Sequence, residues 1–135
     1  MATGTVTQAM EFPKTGQVIV KLSWLASSVS GTLSTVGIDD NIQKLIRGKY
    51  ALFAVTEVGE TKVPTANYDV SFADAYSCNI FGNETDNRSS GTIEQVSPKV
   101  GNLYTARLIT SSLNFALSNN SAPSASGTVR LVCVE

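Results

Sequence analysis

The chain has 135 residues, 42% hydrophobic and only 16% charged, with a formal net charge of −1. That length supports one domain-sized core, and the near-neutral balance argues against the basic footprint a nucleic-acid or anionic-membrane binder needs. Ser and Thr together number 30 and Asn 9, while His is absent, which excludes Ser-His-Asp and Cys-His nucleophile systems and His-containing zinc sites.

Residues 1–16 come first, and Thr5 and Thr7 flank Val6 before Met10, Phe12 and Pro13. This stretch reads as an extended N-terminal arm or an edge strand, ahead of a single domain over 17–135. Pro13 to Gly16 is a turn. Gln17 to Ala26 is the clearest strand, with Val18, Val20, Leu22 and Trp24 on one face at period two. Trp24 at the end of that face reads as a core plug rather than a binding platform. Thr32 to Val36 reads as a short strand. Ile38, Ile42, Leu45 and Ile46 have helical spacing behind Asp39 and Asp40, so Ile38 to Ile46 is a helical turn or an irregular link.

Tyr50 to Val58 reads as a strand with Ala51, Phe53 and Val55 on one face and Leu52, Ala54 and Thr56 on the other. Tyr68 to Ala73 is the next strand, with Tyr68, Val70 and Phe72 facing one way. Asn83 to Gly91 is rich in Asn, Asp, Ser and Gly and reads as the most mobile loop. Arg107 to Leu117 has a strand pattern. Ser118 to Gly127 reads as a connection that pairs Leu113–Leu117 with Val129–Val134, where Val129, Leu131 and Cys133 alternate with Arg130, Val132 and Val134. These signals amount to about seven or eight short strands, an all-β antiparallel β-sandwich of immunoglobulin-like or jelly-roll-like kind.

Chemistry-bearing motifs are few. Asp69, Asp74, Glu84 and Asp86 do not match the calcium-loop spacing, and turn-forming roles explain them. No glycine-rich phosphate loop and no C-x-x-C is present. The two cysteines, Cys78 and Cys133, do not make a disulfide framework, and Cys133 reads as a buried free thiol. No signal peptide is visible at the start and no apolar run reaches the ~18 residues of a membrane span. No catalytic residue, metal or cofactor is therefore expected. Asp86, Asn87 and Arg88 stand out in the polar loop because Arg is enriched at interface hot spots. Met10 and Phe12 stand out because an arm can add a strand to a neighbour's sheet edge.

Three segments carry a family resemblance. The first is Val18 to Trp24 with Ser30-Gly31-Thr32-Leu33-Ser34. The second is Val63-Pro64-Thr65-Ala66-Asn67-Tyr68-Asp69-Val70 through Asp74, with Asn87-Arg88-Ser89 and Glu94-Gln95-Val96 downstream. The third is Leu113 to Asn119 with Ser126-Gly127-Thr128-Val129-Arg130-Leu131. Together they resemble small β-rich virion proteins of tailed bacteriophages and cyanophages, from about Gln17 to the end. The sequence departs from that pattern at Ala75 to Asn79, where a Gly-containing turn is expected, and in the helical look of Ile38 to Arg47. The resemblance implies a non-enzymatic structural protein of the virion, assembled in the host cytoplasm. The first expectation is a capsid decoration or cement protein that binds the major capsid protein and itself, as a dimer or trimer, with neither nucleic acid nor membrane as partner. Met10, Phe12, Asp86, Asn87 and Arg88 are the expected interface. A head–tail connector, neck or tail-tube ring is the alternative, and a carbohydrate- or receptor-binding module is a third reading that needs exposed aromatics.

Overall fold

In the computed structural model, which describes residues 4–135, alternation of apolar and polar side chains builds two antiparallel sheets around a common core. The strands are β1 (Thr5–Glu11), β2 (Gln17–Leu25), β3 (Val36–Gly37), β4 (Tyr50–Val58), β5 (Asp69–Ala73), β6 (Glu94–Val96), β7 (Lys99–Val100), β8 (Leu103–Tyr104), β9 (Arg107–Leu108), β10 (Asn114–Ser118) and β11 (Ser126–Val134). One helix, α1 (Asp40–Ile46), is present among the described residues. The larger sheet has the order β1-β2-β11-β4-β6, with β9 also on β4; the smaller has the order β3-β10-β5; β7 and β8 form a separate hairpin. The fold is an all-β sandwich.

β2 and β11 are the long central strands. Val18, Val20, Leu22 and Trp24 are buried on β2, and Gly127, Val129, Leu131 and Cys133 are buried on β11. Their register places Leu131 opposite Val20 and Val129 opposite Leu22. The smaller sheet contributes Val70, Phe72, Phe115 and Leu117. Phe72 lies with its ring centroid 5.5 Å from Phe115 and 5.8 Å from Phe81, both tilted, a favourable aromatic geometry. Trp24 is only 2% exposed and packs 5.9 Å from Tyr68, so it is the core plug its place on the strand suggested.

Several expectations change in the tertiary structure. Of the two readings of the N-terminal stretch, the edge strand is the one its described part adopts, and not the free arm: β1 pairs with β2 along its whole length, from Thr5–Leu25 to Glu11–Ile19, at the edge of the larger sheet. Burying Val6 and Met10 against the core rewards that pairing. Ala2 and Thr3, also assigned to the arm, lie outside the described residues. On β4, Leu52 is an extra residue: Val132 pairs with Phe53 but Cys133 pairs with Ala51. This bulge reverses the alternation, so Ala51 and Ala54 are both buried while Leu52 is exposed and Phe53 half-buried.

The strand expected over Thr32–Val36 shrinks to Val36–Gly37 on β10. The segment read as one strand from Arg107 to Leu117 breaks into β9 and β10, and Ile109 and Leu113 turn into the core between them. α1 resolves the ambiguous stretch by burying Ile42, Gln43 and Ile46. The buried Gln43 holds the break in place, donating to Ser111 O at 3.0 Å and accepting from Leu113 N at 3.0 Å.

The pairing expected between Leu113–Leu117 and Val129–Val134 does not form. β10 pairs with β3 and β5, whereas β11 pairs with β2 and β4, so Ser118–Gly127 crosses from one sheet to the other. Asn120 stabilises the crossing: Nδ2 donates to Gly31 O at 2.8 Å, and Oδ1 accepts from Thr65 N at 2.8 Å. Cys78 is exposed and Cys133 buried, both as free thiols.

Candidate interaction surfaces

The segment Asn83–Gly91, expected as a mobile loop, is bound down along its length. Val70 N donates to Thr85 O at 3.0 Å, Asn87 N to Asp69 Oδ1 at 2.8 Å, Arg88 N to Tyr68 O at 2.7 Å and Ser89 N to Glu94 Oε1 at 2.7 Å. Asn87 sits at φ 55, a left-handed conformation that Asn tolerates. Thr85 is fully buried and accepts from Asn79 Nδ2 at 3.0 Å. Asn119, in the crossing segment, also donates to Asp69 Oδ2.

Arg88 is spent inside this clasp. Nε and Nη2 donate to Asp86 O at 3.1 and 3.0 Å, and Nη1 lies 3.5 Å from Glu94 Oε1. Its side chain therefore ties the turn at Asp86 to Glu94 on β6. Burial, then the nearby Asp69 carboxylate, push the Asp86 carboxyl above its ordinary range, with Arg88 acting in the opposite sense. Asn87 is the exposed member of the three.

The other expected residues lie on a different element. Met10 pairs with Val20, and its half-buried side chain packs on the core. Phe12, beyond the end of β1, is 61% exposed at the tip of the β1–β2 hairpin. Met10 and Phe12 thus belong to β1 and the turn after it, whereas Asp86, Asn87 and Arg88 belong to the connection from β5 to β6.

The sequence reading missed a different group of apolar side chains. Hairpin β7–β8 turns through Gly101 (φ 60) and Asn102, and presents Val100, Leu103 and Tyr104 to solvent. Its base is stiffened by charge. Lys99 Nζ lies 3.6 Å from Glu84 Oε1 and 5.1 Å from the centroid of the Tyr104 ring, and Tyr104 Oη donates to Glu84 Oε2 at 3.3 Å. The signal was present in the sequence: a Gly-Asn pair flanked by apolar residues marks a hairpin.

Tyr76, in the turn that follows β5, is 82% exposed, and that turn is organised by Asp74. Asp74 Oδ1 accepts from Tyr76 N at 2.9 Å and Cys78 N at 3.0 Å, and its other oxygen lies 3.9 Å from Arg107. Asp74 thus has the turn-forming role expected of it. Ile93, 64% exposed, and Val63 flank a cleft of about 730 Å³ above the buried Trp24 and Gly127. Among the described residues no cluster of three or more Cys, Asp or Glu side chains has metal-binding geometry, and no helix is long and apolar enough to cross a membrane.

No family model matches the chain. No curated protein matches it either. Among solved structures, a chain of the cyanophage Pam1 capsid asymmetric unit aligns over 97% of this chain and 84% of its own length, at 21% identity and a TM-score of 0.38. A likeness at that level carries no argument about role.

Proposed function

We propose that this chain is a non-enzymatic structural protein of a tailed-phage virion, a decoration or cement protein that binds the major capsid protein lattice. One observation carries the reading. The residues of the family resemblance, scattered through the sequence, converge in one tertiary clasp: Tyr68 and Asp69, Asn87-Arg88-Ser89, Glu94 and Asn119 are joined to one another by hydrogen bonds and an ion pair. The resemblance thus follows a unit that holds the two sheets' connections together, rather than isolated short matches.

The surface suits the same role. Large apolar side chains at Tyr76, Val100, Leu103 and Tyr104 are presented on turns anchored by ion pairs, as a protein that works through repeated contacts requires. Many modest contacts that form only on the assembled lattice stabilise it by mass action and avidity. Burial of Trp24 removes its indole as a stacking face for the carbohydrate-binding alternative, which is left with the exposed Tyr76 and Tyr104 rings.

The test is copy number per purified particle, by quantitative mass spectrometry against the major capsid protein. A number that scales with the capsid lattice is expected. A ring's worth of copies would overturn decoration and move the chain to the neck or tail, and absence from the particle would overturn the virion reading itself.

A further inference from the structure

We infer that two copies of this chain pair along β1, edge to edge and antiparallel, so that the larger sheet runs on from one copy into the other. The hydrogen-bond pattern shows which groups of β1 are left for a partner. Ala26 N donates to Ala125 O at 2.8 Å, in line with the β2–β11 ladder, and Glu135 N donates to Gly16 O at 3.1 Å at its far end. Even-numbered residues of β2 therefore turn their main chain to β11, and odd-numbered ones turn to β1. There Leu25, Ser23, Lys21 and Ile19 meet Thr5, Thr7, Ala9 and Glu11. The main-chain N–H and C=O of Val6, Gln8 and Met10 consequently point away from β2, and no group among the described residues bonds to them. The strand is held extended in advance, because Gln8 Nε2 donates to Gly37 O at 3.0 Å and Gln8 Oε1 accepts from Asp39 N at 2.9 Å.

The other edges of the two sheets are covered or very short. β5 is covered along its outer side: Val70 N donates to Thr85 O, Ile80 N to Phe72 O and Arg88 N to Tyr68 O. β3 and β9 have two residues each and β6 has three. β1 has seven, in one register with β2, and carries no Pro, Lys, Arg or bulge, the devices that keep an edge from pairing. The occupant it fits is a second copy of itself. A two-fold axis at Gln8 sets Gln8 opposite Gln8, Val6 opposite Met10 and Thr7 opposite Ala9. Each outward N–H then meets an outward C=O, since the facing residues exchange both bonds. Val6 and Met10, half-buried against the core, cover each other across the join. Glu11, the only charge on β1, lies opposite Thr5 of the second copy and not opposite its own counterpart. Continuing the register puts Phe12, 61% exposed, level with Gly4 of the second copy, which has no side chain to obstruct it. An unrelated strand would meet the main-chain groups alone; the second copy matches them together with the apolar and charged side chains. The pairing belongs to this chain alone and stands independently of the capsid reading.

Sedimentation of the purified chain over a concentration series, with amide hydrogen exchange on the same samples, tests this. A reversible dimer that grows no further is expected, because the pairing uses up the edge that makes it. Exchange of the Val6, Gln8 and Met10 amides should be slower by about tenfold or more in the dimer than in the monomer, while Thr7 and Ala9, bonded to β2, are protected in both. Thr7→Lys combined with Ala9→Lys, both at exposed positions on the face away from the core, sets like charges opposite each other across the join. It should weaken association by about tenfold or more. Thr7→Lys combined with Ala9→Glu sets opposite charges there and should associate at least as tightly as the natural chain. A natural chain that stays monomeric or grows past the dimer, or exchange at Val6, Gln8 and Met10 that ignores concentration, would overturn the inference. So would a Thr7→Lys/Ala9→Lys chain that associates like the natural one, or a Thr7→Lys/Ala9→Glu chain that associates as weakly as Thr7→Lys/Ala9→Lys.

Discussion

Gly127 sits near the start of β11, the strand paired on both sides, and replacing it with Ala should be costly for a reason visible in the geometry. β11 is hydrogen-bonded on both sides, to β2 and β4, so its backbone has no free direction in which to move. An added Cβ would lie 2.6 Å from Glu57 O, 2.6 Å from Trp24 Cζ2 and 2.8 Å from Trp24 Cε2. Neither obstacle is a flexible chain end: one is backbone, the other an indole 2% exposed and packed against Tyr68. Overpacking of this kind costs about 1–3 kcal/mol. The entropy lost from the unfolded chain works in the opposite sense, by about 0.4–1 kcal/mol. The net expectation is a loss of about 1–2 kcal/mol. With a urea slope of about 2 kcal/mol/M, the unfolding midpoint moves down by roughly 0.5–1 M. Gly91→Ala is the control, since nothing lies within 4 Å of its Cβ position. It should be neutral or slightly stabilising. A Gly127→Ala chain as stable as the natural one, or a Gly91→Ala chain equally damaged, would refute the steric argument.

Other outcomes follow from the same structure. Burial pushes the Cys133 thiol up to about 12, with Lys49 acting weakly against it. At pH 8 the folded chain should therefore take up one iodoacetamide, at exposed Cys78, and two once unfolded, as read by intact mass. The raised Asp86 carboxyl means that its charged form is disfavoured by folding, so the folded chain binds that proton more tightly than the unfolded chain. Stability from this group is present below the unfolded carboxylate range and lost as pH rises through the folded value. Asp86→Asn should thus raise the melting temperature at pH 7, with the gain fading at pH 3. Trp24 Nε1, Thr56 Oγ1 and Tyr68 Oη are buried without a hydrogen-bond partner of sound geometry, although Thr56 lies near enough to moderate the burial-raised Tyr68 phenol. Tyr68→Phe should then cost less than about 1 kcal/mol in urea unfolding, against about 3–5 kcal/mol for Trp24→Ala. Leu103→Asp should leave the melting temperature unchanged and lower occupancy on purified capsids, measured by co-sedimentation, if hairpin β7–β8 is a lattice contact.

The candidate surfaces were only partly legible. Phe12 stands out in the sequence as part of an arm that could order on a neighbour, and in the structure it is exposed at the tip of the β1–β2 hairpin. Met10, two residues earlier, carries the same apolar signal but points to the core, since β1 follows the period-two rule once paired with β2. Arg88 looked like a free loop cation, yet its guanidinium is occupied by Asp86 O and Glu94. The distinction rests on a carbonyl direction and a strand neighbour, which composition does not encode.

Local alternation was sufficient to read β2 and β11, the buried Trp24 and Cys133, and an all-β chain, because side-chain facing depends only on adjacent residues in an extended backbone. Partner choice was not readable in the same way. β10 pairs with β5 rather than β11, Leu52 bulges to bring Ala51 and Ala54 to one face, and Asn83–Gly91 lies clasped instead of free. Each of these depends on groups far apart in the sequence, such as Asn120 with Gly31 and Asp69 with Asn87 and Asn119, whose meeting is settled only when the two sheets close on a shared core.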